Sequence, residues 1–190
     1  MRAGLIVVVA LAVGIAAGGC HRAPAPPAEV STTAVGMRAA SPEDMAFLER
    51  IVIHHQQALE LTDMVGRQST DAQLLQLADQ IAAQQRTQLQ GCQAQLLQWE
   101  APGLPADQRD PATIAGMVDQ ATLDKLRGLS GPEFGRMWLT TMIDHHRGAI
   151  TMARQEMAVG QSPEAVSIAQ SLVPLQQAEI DQMNRLLGEP

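Results

Sequence analysis

Two stretches of this 190-residue chain, IVIHHQQALELT (residues 51–62) and MIDHHRGAITMA (residues 142–153), each set a histidine doublet in a helix-like, largely apolar run. The chain has five histidines, and these doublets hold four of them: His54, His55, His145 and His146. On a helix, His145 shares a stripe with Met142, Ala149, Met152 and Glu156, while His146 lies about 100° round with Met142 one turn earlier. Met142, His145, His146 and Met152 can therefore face one wall. Imidazole nitrogen with thioether sulfur suits a soft transition metal, above all copper as Cu(I). The doublets have no carboxylate in register, as a hard ion would require. The Glu-x-x-His pattern of di-iron bundles and the His-Glu-x-x-His of zinc proteases are both absent. The competing interpretation is structural: one ring of each doublet packs in a core and donates to a carbonyl or Gln of a facing helix, and the methionines fill space.

A shift of 91 residues lays one doublet on the other, with Ala58 on Ala149 and Leu59 on Ile150. It also lays LADQIAAQQRTQL (77–89) on IAQSLVPLQQAEI (168–180), so that Gln85 meets Gln176 without a gap. This is the pattern of an internal duplication, with repeats at about 43–100 and 131–188. Met142, Met152 and Met183 correspond to Ile51, Leu61 and Cys92. Thioethers thus flank only the second doublet, which is expected to make the stronger site, with His54 and His55 contributing from the first copy. Cys92 is either a thiolate donor or a buried inert thiol. The Gln-rich run DAQLLQLADQIAAQQRTQLQ reads as a solvated helix face.

Each repeat reads as a helical hairpin. Ser41-Pro42-Glu43-Asp44 opens the first helix, Ser69, Thr70 or Asp71 caps the second, and that helix ends before Pro102-Gly103. Gly131-Pro132-Glu133 opens a helix to about Val159, and Ser162-Pro163-Glu164 opens the last, in which Pro174 is expected to introduce a kink. The connection between the repeats is expected to hold a short helix around Ile114–Arg127. Two hairpins, each burying one apolar stripe, predict an all-α four-helix bundle.

Aromatic residues make up 2% of a chain that is 46% hydrophobic, so the core must be aliphatic and Met-rich, as helix-on-helix packing allows. A net charge of −7 with no basic run argues against nucleic acid or an anionic membrane surface as a partner. There is no glycine-rich phosphate loop and no nucleophile–base pairing, so an enzyme is not expected. Arg2, the apolar run to Gly19 and the small residues before Cys20 describe an export signal. Ala17-Gly18-Gly19-Cys20 further resembles a bacterial lipobox, which assigns residues 1–20 to a lipoprotein signal with Cys20 as the lipidated residue. Residues 21–42, rich in Pro and Ala, read as a tether, and residues 43–190 as the domain.

Met142, His145, His146, Ala149, Ile150, Met152 and Ala153, followed by Gln176, Glu179, Ile180 and Met183, resemble the hallmark of the bacterial family known as domain of unknown function 305. The first copy keeps His54, His55, Ala58 and Gln85, but has Ile51, Leu61, Gln88 and Cys92 where the family prefers Met, Met, Glu and Met. The resemblance spans roughly Asp44 to Leu187. It implies a ferritin-like helical bundle in an exported or envelope protein, and for some members copper binding and tolerance through His and Met. The expectation is an envelope-anchored lipoprotein that buffers copper through His54, His55, Met142, His145, His146, Met152 and Met183. Its partners would be the metal ion and, through the lipid, the membrane. The alternative is a structural or interaction lipoprotein whose doublets are buried bundle contacts.

Overall fold

A computed structural model of the protein describes residues 40–188, so the expected signal segment, Cys20 and all but the end of the tether lie outside the described residues. The order of elements is α1 (Pro42–Gln68), α2 (Ala72–Gln98), two 3-10 turns (Ala106–Gln108 and Pro111–Thr113), α3 (Gln120–Gly128), α4 (Gly131–Val159) and α5 (Pro163–Leu187). Helices α1 and α2 form one hairpin, α4 and α5 the other, and α1 packs on α4. The result is an all-α bundle of four long helices. Among the described residues no helix is long and apolar enough to cross a membrane.

The helix starts follow from local chemistry. The Ser41 hydroxyl accepts from the Asp44 backbone N–H while the Asp44 carboxylate accepts from the Ser41 N–H, and Pro42 fills the first turn. Of the three candidate caps for α2, Asp71 takes the role, accepting from the N–H groups of Gln73 and Leu74. Ser162 caps α5, and Gly188 ends it with φ of 79°, a left-handed conformation that suits glycine. Helix α5 runs unbroken through Pro174. Pro174 lies on the exposed face, so the Gln170 carbonyl that loses its helical donor is open to water.

The connecting helix begins later than expected, at Gln120. Asp110 and Pro111 first close a 3-10 turn, and Asp119 then caps Thr122. The stretch before it is clamped onto the α1–α4 face. The Gln57 amide donates to the Val118 carbonyl and accepts from the Val118 N–H at 2.9 and 2.7 Å. Gly116, with φ of 79°, sits directly on Gly148 of α4, where a Cβ would collide with the Ala115 carbonyl oxygen and the Gly116 Cα. Two apolar clusters fill the bundle. One, around Leu61, Leu77, Phe134, Trp138, Met142 and Met183, lies toward the α1–α2 turn, and the Trp138 indole N–H donates to the Leu61 carbonyl at 2.8 Å. The other, around Leu48, Ile51, Cys92, Ala153 and Leu172, lies toward the α4–α5 turn.

Candidate metal centre

Between the two apolar clusters lies a polar layer, and both doublets are in it. His54, His55, His145 and His146 have no solvent exposure. The rings of His54 and His145, one from each repeat, stack with centroids 3.7 Å apart and planes tilted by 32°. Within each doublet the rings are 6.1 and 6.3 Å apart. One continuous layer thus joins the two hairpins.

The outer ring of each doublet is held by the partner helix of its own hairpin. His55 Nε2 meets Gln88 Oε1 at 2.8 Å, and His146 Nε2 meets Glu179 Oε2 at 2.7 Å. An amide oxygen and a carboxylate oxygen only accept, so both rings donate through Nε2–H. In the neutral ring this leaves Nδ1 as the lone-pair nitrogen. Such outer partners commonly fix the tautomer and orientation of metal-binding histidines.

One sequence-based expectation is corrected here. Gln85 is fully buried in the layer and Gln88 binds a histidine, so this part of the Gln-rich run is not a solvated face. The second doublet also has a carboxylate, which comes from the neighbouring helix α5 and not from its own. Gln88 and Glu179 hold the outer rings, a pairing that periodicity along a single helix does not reveal. Their signal was the same shift of 91 residues that pairs the doublets.

Burial holds the His55 imidazole down at about 4. His54 and His145 are pushed well below the usual range by burial and then by neighbouring imidazoles. These rings are neutral at physiological pH, the form that binds metals. Both ring nitrogens of His54 and His145, Nδ1 of His55 and His146, and both amide atoms of Gln85 and Gln176 have no hydrogen-bond partner in the protein. Each buried polar group left unpaired costs about 1–3 kcal/mol, so a run of them in one layer fits a cation or ordered water that they would jointly satisfy. No three His, Cys, Asp or Glu side chains form a ready-made metal cluster among the described residues. A cation here would require the rings to adjust.

The sulfur atoms divide by height along the bundle. Met142, one turn before the doublet, and Met183 are fully buried in the apolar cluster toward the α1–α2 turn. Met152 is half-buried and lines a cavity of about 340 Å³ at the opposite end, together with Arg50 and Glu156. At 1.5 Å rise per residue, Met142 and Met152 stand roughly 15 Å apart along α4. A single ion cannot touch both, whatever their shared stripe suggests. Cys92 is buried in the second cluster, and burial pushes its thiol up to about 12, which keeps it protonated.

Beside that cavity is a second buried polar group, which ties α1 to the α4–α5 turn. Asp44 accepts from the backbone N–H groups of Ser41, Gln161 and Ser162 at 2.7, 2.8 and 3.1 Å. Burial would raise its carboxyl, but these hydrogen bonds and one from Glu156 hold it at about 2. Glu156 is raised to about 8 by burial and by its hydrogen bond with, and charge repulsion from, Asp44. Glu156 thus keeps a proton that the unfolded chain releases above its ordinary value of 4.5. Its contribution to stability is complete at low pH and declines as pH rises from about 4.5 to 8. Asp44 contributes above about 3.8, and that contribution is lost as pH falls toward 2. Glu156→Gln, which stays neutral and can still donate to Asp44, is expected to flatten the decline between pH 4.5 and 8. Thermal melts across that range check it, and parallel profiles for parent and variant would contradict the assignment.

The fold and layer define a class of bundles built from two helical hairpins with paired histidines at mid-height. The model of the family called Domain of unknown function (DUF305) matches residues 44–187, and the chain belongs to this family. It is similar to a DUF305 fragment from Deinococcus radiodurans, with 32% identity, a TM-score of 0.71 and coverage of 78% of this chain and 97% of that one. A putative secreted DUF305 protein from Streptomyces coelicolor is 29% identical, with a TM-score of 0.70 over 77% and 92% of the two chains. CopM in its Cu(I)-bound form is 26% identical, with a TM-score of 0.62 over 75% and 94%, and CopM structures also include Cu(II)-bound, silver-bound and apo forms. No curated protein matches the chain.

Proposed function

We propose that this protein binds copper as cargo in the cell envelope, acting as a buffer and not as a catalyst, with the histidine layer as its centre. The observation that carries the reading is the set of unpaired nitrogens on four buried imidazoles that the two hairpins bring into one layer. His54, His55, His145 and His146 would hold the ion, the last through Nδ1 with Glu179 behind it, and Met142 and Met183 are the nearest thioether candidates. Imidazole nitrogens with thioether sulfur nearby suit a soft cation such as Cu(I). Copper and silver binding by the similar CopM supports a soft metal. Met152 would belong to a separate, weaker contact at the cavity.

A structural role has its own support in the His55–Gln88 and His146–Glu179 hydrogen bonds. It leaves His54 and His145 unexplained, since neither ring nitrogen of either has a partner. Metal analysis of untagged protein, with thermal melts in the presence of Cu(I), decides between the two. Copper is expected to co-purify and to raise the midpoint, because a ligand that binds only the folded state stabilises it. A parent midpoint that ignores Cu(I) would sink this reading.

Export and lipidation at Cys20, with residues 21–42 as tether, complete the proposal and rest on the N-terminal sequence and on similarity to a putative secreted protein. Cys20→Ser is expected to move the protein from the membrane to the soluble fraction or to stall its processing. Unchanged membrane retention and N-terminal processing would exclude the anchor.

A further inference from the structure

The two faces of the histidine layer are not equivalent. On the α1–α4 side the connecting segment lies across the bundle, with Gln57 gripping Val118 and the Gly116–Gly148 contact leaving no space for a side chain. On the α2–α5 side there is an open groove of about 680 Å³, lined by Ala83, Leu175 and Ala178 among others. At its floor are Gln88 and Glu179, the same side chains that hold His55 and His146. Glu179 keeps 11% of its side-chain exposure, whereas His146 behind it has none. Across the groove the only hydrogen bond between described side chains is from Gln182 to Gln80 at 3.3 Å, between exposed groups and easily exchanged for water.

We propose that the α2–α5 groove is the passage through which a soft monovalent cation reaches and leaves the histidine layer, with Gln88 and Glu179 as its inner gate. The proposal rests on the copper-binding reading for its cargo, but the passage itself is a property of the metal-free protein. A cation entering here meets the carboxylate of Glu179 before it meets an imidazole. Rotation of the Gln88 or Glu179 side chain uncovers a ring edge without disturbing either apolar cluster. On the opposite face, access would require the clamped segment to come away from α4. The groove also gives a partner with soft donor groups a place to take up the ion, which suits a buffer that must exchange its cargo.

The test plugs the groove from either wall. Ala178→Trp on α5 and Ala83→Trp on α2 replace exposed small residues, so both variants are expected to fold, with Gln56→Trp on exposed α1 surface as control. Two measurements are made: Cu(I) uptake and release rates against a chromogenic chelator, and deuterium uptake at the histidine C2 carbons of the metal-free protein. Both plugs are expected to slow uptake and release together by about tenfold or more while the equilibrium affinity stays near that of the parent, since obstructing a passage acts on both rates alike. Deuterium uptake at His54, His55, His145 and His146 should slow in parallel, and the control should change neither quantity. Slower deuterium uptake in both plugged variants, with no Cu(I) binding by the parent, would leave the passage standing and remove its cargo. Copper binding with rates and deuterium uptake untouched by both plugs would overturn the passage.

Discussion

Replacing His145 by Leu is expected to stabilise the metal-free protein and to abolish its thermal response to Cu(I). The His145 ring is fully buried, stacked on His54, and has two nitrogens without partners. Leucine fills a similar volume without a polar group to desolvate, so relief of the buried nitrogens is worth about 1–3 kcal/mol. For a domain of this size each kcal/mol moves the midpoint by roughly 2–4 °C. Loss of an ion ligand removes the stabilisation that copper supplies. His146→Leu should behave in the opposite way in the metal-free state, because it leaves the Glu179 carboxylate buried beside an apolar side chain. A lower metal-free midpoint for His145→Leu would mean that its imidazole is a structural contact, and an intact copper response would remove it from the ligand set. The equivalent change at His54 tests whether the layer is shared between the repeats. A shared layer predicts similar losses from either repeat.

The second large effect is expected at a glycine. Gly148→Val is expected to destabilise the domain by about 3 kcal/mol, since the new side chain meets backbone atoms of Ala115 and Gly116 that can yield only if the connecting segment lifts from α4. Gly66, also helical, has nothing within 4 Å of an added Cβ, and Gly66→Ala should stabilise by about 0.5–1 kcal/mol through helix propensity. Denaturant midpoints of the two variants make the comparison. A Gly148→Val protein as stable as its parent would show that the segment over residues 115–118 is not firmly docked.

How much of this was legible beforehand depends on the range of the interaction. The helices, their caps at Ser41, Asp71 and Ser162, and the hairpin order follow from contacts between residues one to four positions apart, and the sequence displays such contacts directly. The pairing of the repeats was legible too, because residues 91 apart carry matching side chains at the doublets and at Gln85 and Gln176. Tertiary structure decided what periodicity along one helix cannot express. A Gln on an amphipathic helix has the same local pattern whether water or a facing imidazole satisfies its amide, so Gln88 and the buried Gln85 were hidden among solvated neighbours. Met142 and Met152 share a stripe, yet axial rise carries them into different ends of the bundle. Most of all, the rotation of α1 against α4 brings His54 onto His145 and turns two doublets into one layer. That rotation is set by the packing of the whole apolar interface and the clamped connection beside it, an energy spread over many residues and written in no single motif.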